Sequence, residues 1–123
     1  MFPPTSDIVV SVRGKFNLSQ DAVKWMSMNG YDEVKEIIKA GDDLVFASSF
    51  RRIDKRHDPW LVKAVKSLGP MASEGDSCLE VVTICGSSYM IVSNGHLEVA
   101  ISGMELPRLE PVEVPGELLE SRI

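Results

Sequence analysis

The sequence has few cysteines, few aromatic residues and no long apolar run. Two of its 123 residues are cysteine and 7% are aromatic. Cys78 and Cys85 are seven positions apart, and an odd spacing along one strand points two side chains to opposite faces. We therefore expect reduced thiols in an intracellular protein rather than a mutual disulfide. No window is apolar for the length that a membrane span needs, and residues 1–4 lack the basic and apolar regions of a signal peptide, so we expect a soluble protein.

Sequence motifs of the common catalytic and metal-binding classes are missing as well. The chain has no glycine-rich phosphate loop, no HExxH, no CxxC and no GxSxG. Asp42 and Asp43 are explained by turn chemistry, and Asp58 by capping of a helix. Cys78 and Cys85 border an apolar strand, where free cysteine behaves as a small hydrophobe. We expect a non-enzymatic protein without metal or cofactor, with a weak cysteine–histidine hydrolase as the least favoured alternative.

What the sequence does have is an average globular composition with an uneven distribution of charge. It is 44% hydrophobic with a net charge of −5, which fits one domain with a core of its own. Residues 51–66 carry six Lys and Arg against two Asp and Glu, whereas residues 67–123 carry two against nine. A basic segment can contact phosphates, and an acidic surface can attract basic proteins.

Periodicity and capping signals predict an α+β fold. Residues 79–84 are apolar on both faces, which indicates a central strand. Asn94-Gly95 is typical of a type I′ turn, because both residues accept positive φ. We predict a mainly antiparallel sheet with a C-terminal Asn-Gly hairpin and two or three short helices on one face. The other predicted elements are a strand over 8–13, a helix over 20–28 capped by Ser19, a helix capped by Asp32, a strand over 44–50, a helix beginning at Asp58-Pro59, and hairpin strands over 89–93 and 96–101.

After residue 103 the periodic pattern is lost. Pro107, Pro111 and Pro115 recur every four residues. We therefore divide the chain into a single α+β domain over 1–103 and an acidic, proline-containing C-terminal tail over 104–123. The acidic residues of the tail are Glu105, Glu110, Glu113, Glu117 and Glu120.

Several spaced motifs resemble small uncharacterised proteins of tailed phages and large DNA viruses. The similarity spans about residues 8–99, and the relatives carry Pro-Asp-Asp where this chain has Cys85-Gly86-Ser87. That family brings no established activity, so the resemblance implies a viral accessory protein with an α+β fold, located in the host cytoplasm or nucleus. The motifs are Phe16-x-Leu18-Ser19-x-x-Ala22, Asp58-Pro59-x-Leu61-Val62 with Val65 and Leu68-Gly69, Leu79-x-Val81-Val82-x-Ile84, and Tyr89-x-Ile91 before Asn94-Gly95.

Two functional hypotheses follow from the charge distribution. The first is a non-enzymatic viral accessory protein that binds a host or viral protein, a basic one such as a histone, through the acidic surface and tail. Its candidate contacts are the five tail glutamates and Trp60, since aromatic residues dominate many interfaces, although a core role explains Trp60 as simply. The alternative is nucleotide or nucleic-acid binding through the basic segment, which the net acidic charge disfavours. Its candidate phosphate contacts are Arg51, Arg52, Lys55, Arg56 and His57.

Overall fold

Three layers make up the fold: helices, a two-stranded sheet and a three-stranded sheet. A computed structural model describes residues 5–94, 97–102 and 112–114. The predicted α+β class is confirmed, with four α-helices in these ranges. The elements are β1 (Thr5–Arg13), α1 (Gln20–Met28), α2 (Asp32–Lys39), α3 (Asp43–Ser49), a 3₁₀ turn (Ile53–Lys55), α4 (Pro59–Leu68), a second 3₁₀ turn (Gly69–Ala72), β2 (Cys78–Cys85), β3 (Ser88–Ser93), β4 (Glu98–Ser102) and β5 (Val112–Glu113).

The middle layer is the antiparallel pair of β1 and β2. Alternate residues of β1 point to opposite sides, because side chains alternate across a strand. Val9 packs into the helical core with residues of α1 and α4, whereas Ile8 and Val10 pack against Tyr89 of the other sheet. Among the described strands β2 pairs only with β1, so the prediction of a central strand over 79–84 is wrong. Apolar residues on both faces reflect layers above and below the strand, not strands on both of its edges.

The outer sheet has the order β4-β3-β5, and all its pairs are antiparallel. The predicted hairpin is confirmed, with Val92 opposite Val99 and Ser93 opposite Glu98. A two-residue turn at positions 94 and 95 would instead pair Ser93 with residue 96, so the predicted turn register is wrong. β4 begins two residues later than predicted. The Leu97 N–H donates to Asn94 Oδ1 at 2.9 Å, so the Asn94 side chain helps to close the loop; Gly95 and residue 96 lie outside the described residues.

Helix starts with a side-chain cap were predicted correctly. Ser19 Oγ accepts the Ala22 N–H at 3.1 Å, and α1 begins at the next residue, Gln20. Asp58 Oδ1 accepts the Trp60 N–H at 2.8 Å at the start of α4. Asp32 is instead the first residue of α2, which follows Tyr31 and has no side-chain cap.

The strand predicted over 44–50 is a helix. α3 runs from Asp43 to Ser49, with Ala47 and Phe50 buried and Leu44 and Val45 exposed. A buried pair three positions apart is a helical spacing. A short apolar run fits either type of element, and packing against α1 and α2 decides it.

Part of the segment assigned to the tail belongs to the domain. Val112 and Glu113 pair with β3, and the Val114 N–H donates to Ser87 O at 2.7 Å. Val114 is 5% exposed and packs with Ile8, Val10 and Tyr89 between the sheets. The boundary predicted at residue 103 therefore does not separate the domain from everything that follows.

No helix in the described ranges combines the length and the apolarity that crossing a bilayer requires.

Candidate functional site

Arg56 is a buried structural residue, and the prediction that it contacts phosphate is wrong. Its side chain is 3% exposed and pairs with Glu98, which is 12% exposed, at 2.7 Å from Nη1 to Oε1; Nη2 lies 2.9 Å from Oε2. Nε donates to Phe50 O, and the remaining N–H groups donate to Val9 O and Arg51 O at 3.0–3.3 Å. All five donors of the guanidinium are therefore used within the protein.

The Arg56–Glu98 pair also closes the edge of β1 that faces away from β2. The Val9 N–H donates to Arg56 O at 2.9 Å, and the Ser11 N–H donates to Glu98 Oε1 at 2.7 Å. The Phe16 ring lies against the guanidinium, with its centroid 4.0 Å from the central carbon. Backbone groups that a third strand would otherwise satisfy are thus satisfied by the Arg56 carbonyl and by the side chains of Arg56 and Glu98.

The other cations of the basic segment do not converge on one anion site. Arg52 forms an exposed two-point pair with Asp54, at 3.1 and 2.9 Å. The Arg51 Nε donates to Phe16 O at 3.1 Å. Lys55 is exposed at the end of the first 3₁₀ turn. Arg51 and Arg52 line different cavities, so a phosphate site formed by all five predicted residues does not exist in this arrangement.

His57 belongs to a hydrogen-bonded chain with Tyr89 and Ile53. Its Nδ1 lies 2.8 Å from Tyr89 Oη, which is 2.5 Å from Ile53 O. Because a carbonyl only accepts, the Tyr89 hydroxyl donates to Ile53 O and His57 Nδ1–H donates to Tyr89. Burial lowers the pKa of His57 and raises the pKa of Tyr89. His57 thus links the segment before α4 to β3, and its lowered pKa disfavours the charged form that a phosphate would need.

Trp60, a predicted partner contact, is anchored by intramolecular contacts. Its ring stacks on Tyr31 with centroids 5.0 Å apart and planes at 23°. Lys63 Nζ lies 5.3 Å from the ring centroid. The side chain is half-buried against the helical core, which favours the core interpretation.

Glu113 is the tail glutamate that the described ranges contain. It is exposed on β5, opposite Ser88. The other four predicted contacts, Glu105, Glu110, Glu117 and Glu120, lie outside the described residues.

A surface that the sequence analysis missed is the outer face of the β3–β4 hairpin. Tyr89 and Ile91 point into the core, so Met90 and Val92 point outward. The cross-strand register sets Met90 opposite Ile101 and Val92 opposite Val99. These four residues form what we call the outer β3–β4 face.

The outer β3–β4 face is apolar and open to solvent. Val92 is 50% exposed and Val99 is 49% exposed, and Leu97 is exposed two residues before Val99. Glu113 lies on the same side of the sheet as Met90. It is paired with Ser88, and Ser88 and Met90, two positions apart on β3, point to the same side. The sequence signal was an apolar pattern on both sides of β3, which resembles that of β2. No other described element, however, covers the second side of β3.

Neither a metal site nor a thiol pair emerges from the side chains that the structure describes. No three of their His, Cys, Asp and Glu side chains are grouped to hold a metal ion. Cys78 is half-buried, Cys85 is exposed, and both are free thiols.

Comparison with known proteins found no match: no family model, no curated protein and no solved structure is similar to this chain.

Proposed function

We propose that this chain is a non-enzymatic protein-binding module, and that its partner is a basic protein that docks on the outer β3–β4 face beside the acidic C-terminal segment. The observation that carries the proposal is the cross-strand pair of Val92 and Val99, both about half exposed on a regular sheet. The viral accessory role predicted from the resemblance belongs to the same proposal.

The apolar character of the face supports a protein partner. Single exposed hydrophobes are ordinary, but adjacent ones on two paired strands form a patch of the kind that marks interaction sites. Burying the exposed halves of Val92 and Val99 contributes about 2 kcal/mol to binding. Met90 and Ile101, each half-buried, extend the same ladder.

The charge around the face supports a basic partner. Glu113 lies beside the ladder, and residues 67–123 hold nine acidic against two basic residues. Burial of Arg56 also removes one cation from the surface of the basic segment. Acidic charge near an apolar patch accelerates association with a basic protein and makes it sensitive to salt.

Titration of the full chain with purified core histones tests the apolar part of the proposal. We expect saturable binding that weakens about ten-fold in Val99→Lys, which places a like charge against the partner. Val45→Lys is the matched control, since Val45 is 71% exposed on α3, away from this face. Circular dichroism establishes that both variants are folded. Equal affinity of the two variants would contradict docking on this face.

Neutralising the glutamates of the C-terminal tail tests whether acidic charge attracts the partner. Truncation is unsuitable because it removes Val114 from the core. We expect Glu105, Glu110, Glu117 and Glu120 changed together to Gln to weaken histone binding and to flatten its salt dependence. The control removes four exposed charges outside residues 67–123, by changing Glu33 and Glu36 to Gln and Asp21 and Asp42 to Asn. Salt-independent binding, or no binding to histones, would sink the choice of a basic partner.

A further inference from the structure

A cavity of about 470 Å³ between the start of α1 and α3 has no role in the proposed function. Arg51, after α3, and Glu74, after the second 3₁₀ turn, both line it. The loop that carries Glu74 is tied to the segment before α1, because the Glu74 N–H donates to Asn17 O at 3.0 Å. The cavity therefore joins three chain segments whose relative positions are fixed by backbone contacts.

Arg51 lines this cavity and a neighbouring one beside Phe16, and its guanidinium is oriented. The hydrogen bond from its Nε to Phe16 O, 3.1 Å long, fixes the plane of the guanidinium. The two terminal nitrogens have no bonding partner among residues 5–94, 97–102 and 112–114. Such a planar pair of donors matches the two oxygens of a carboxylate. Arg51 thus keeps its capacity to bind an anion.

Glu74 places the opposite charge in the same cavity. Its carboxylate is exposed, and no ion pair joins it to Arg51 or to another described residue. Two opposite charges that share a cavity without neutralising each other suit a ligand that carries both. A simple anion would gain from Arg51 but would be repelled by Glu74.

The remaining walls are partly apolar and partly polar. Leu18 and Ala47 are buried at the wall, and Leu44 is exposed beside it. The Asn17 amide and the Ser48 hydroxyl add groups that can donate or accept hydrogen bonds. Ligand sites commonly combine apolar walls with a few polar groups that fix orientation.

We infer that this cavity binds a free α-amino acid with an apolar side chain, with the carboxylate on Arg51, the ammonium group on Glu74 and the side chain against Leu44. The inference is independent of the proposed protein partner, since none of these residues lies on the outer β3–β4 face. It also explains why an apolar side chain stands at position 44, where Leu44 is exposed and contributes little to the core.

Titration of the full chain with L-leucine, followed by amide chemical shifts, tests the inference. For a ligand of this size we expect a dissociation constant of about 1 mM. Arg51→Gln should weaken binding about ten-fold, because a charge-assisted two-point contact is lost. Arg52→Gln is the matched control: the neighbouring residue pairs with Asp54 and lines a different cavity.

Two analogues separate the two charges of the ligand. N-acetyl-leucine lacks the ammonium group and leucinamide lacks the carboxylate, so each should bind about ten-fold more weakly than leucine. Glu74→Gln should weaken the binding of leucine and strengthen that of N-acetyl-leucine, whose carboxylate is no longer repelled by the Glu74 charge. The inference is overturned if shifts do not saturate with leucine at about 10 mM, if Arg51→Gln binds as the wild type does, or if leucinamide binds as well as leucine.

Discussion

At the scale of single residues, the stability of the junction between β1, β4 and the start of α4 depends on Arg56 and Glu98. The two side chains form two short hydrogen bonds to each other, and Glu98 accepts a third from the Ser11 N–H. A buried pair contributes little compared with apolar residues of the same volume, because desolvating both charges costs nearly what their attraction gains. Removing only one of the two charges lowers the free energy of unfolding strongly, because the other charge then stays buried without a counter-charge.

We therefore expect Glu98→Gln to destabilise the protein by about 3–5 kcal/mol, because it leaves the Arg56 guanidinium buried without a counter-charge. Denaturation with urea measures this loss. Glu80→Gln, on the exposed side of β2, is the matched control and should change stability by less than about 0.5 kcal/mol. A similar small loss in both variants would mean that the pair is not buried in solution.

The role of Arg56 could not be predicted from its sequence neighbours. Arg51, Arg52, Lys55 and Arg56 form one basic run, and such runs are most often exposed. The counter-charge comes from Glu98, 42 positions later along the chain, and the register of β4 decides that it meets Arg56. No local pattern carries that information.

At the scale of elements, capping groups made some helices predictable and their absence hid another. Ser19 and Asp58 bind backbone N–H groups of the first turn, and both helices begin where predicted. α3 follows Asp42, whose side chain makes no capping hydrogen bond. Because no capping residue marked a helix start, the β-propensity of residues 44–50 predicted a strand. Tertiary packing overrides that propensity, and the segment is helical.

The difference between the capped start of α4 and the uncapped start of α3 gives a quantitative prediction. Asp58→Ala removes the acceptor for the Trp60 and Leu61 N–H groups, which lie 2.8 and 3.3 Å from Oδ1. We expect a loss of about 1 kcal/mol in the free energy of unfolding. Asp42→Ala, the matched control at the start of α3, should change it by less than about 0.5 kcal/mol. Thermal denaturation compares the two, and an equal loss would show that helix dipole or general charge effects, not capping, stabilise α4.

At the scale of the whole molecule, the sequence indicated one sheet where the structure has two. The difference arises at β2 and β3, since both are apolar on two sides. β2 lies between the helices and the outer sheet, whereas β3 has the core on one side and solvent on the other. The apolar patterns therefore predicted strands with buried sides, but not that these strands divide between two sheets. They also could not reveal the outer β3–β4 face, because exposure depends on the absence of a covering layer.

The core between the two sheets includes Val114, which lies beyond the domain boundary predicted at residue 103. Its contribution to stability therefore tests how far the folded domain extends. Val114 is 5% exposed and packs with Ile8, Val10 and Tyr89. Val114→Ala should cost about 1–2 kcal/mol through lost burial and the cavity that it leaves. Val45→Ala, at a 71% exposed valine, should cost less than about 0.5 kcal/mol. If the denaturation midpoints of the two variants coincide, residues 112–114 do not contribute to the core, and the domain ends before β5. If Val114→Ala alone is destabilised, residues 112–114 are anchored to the core, and Glu113 lies beside the outer β3–β4 face, where the proposed basic partner docks.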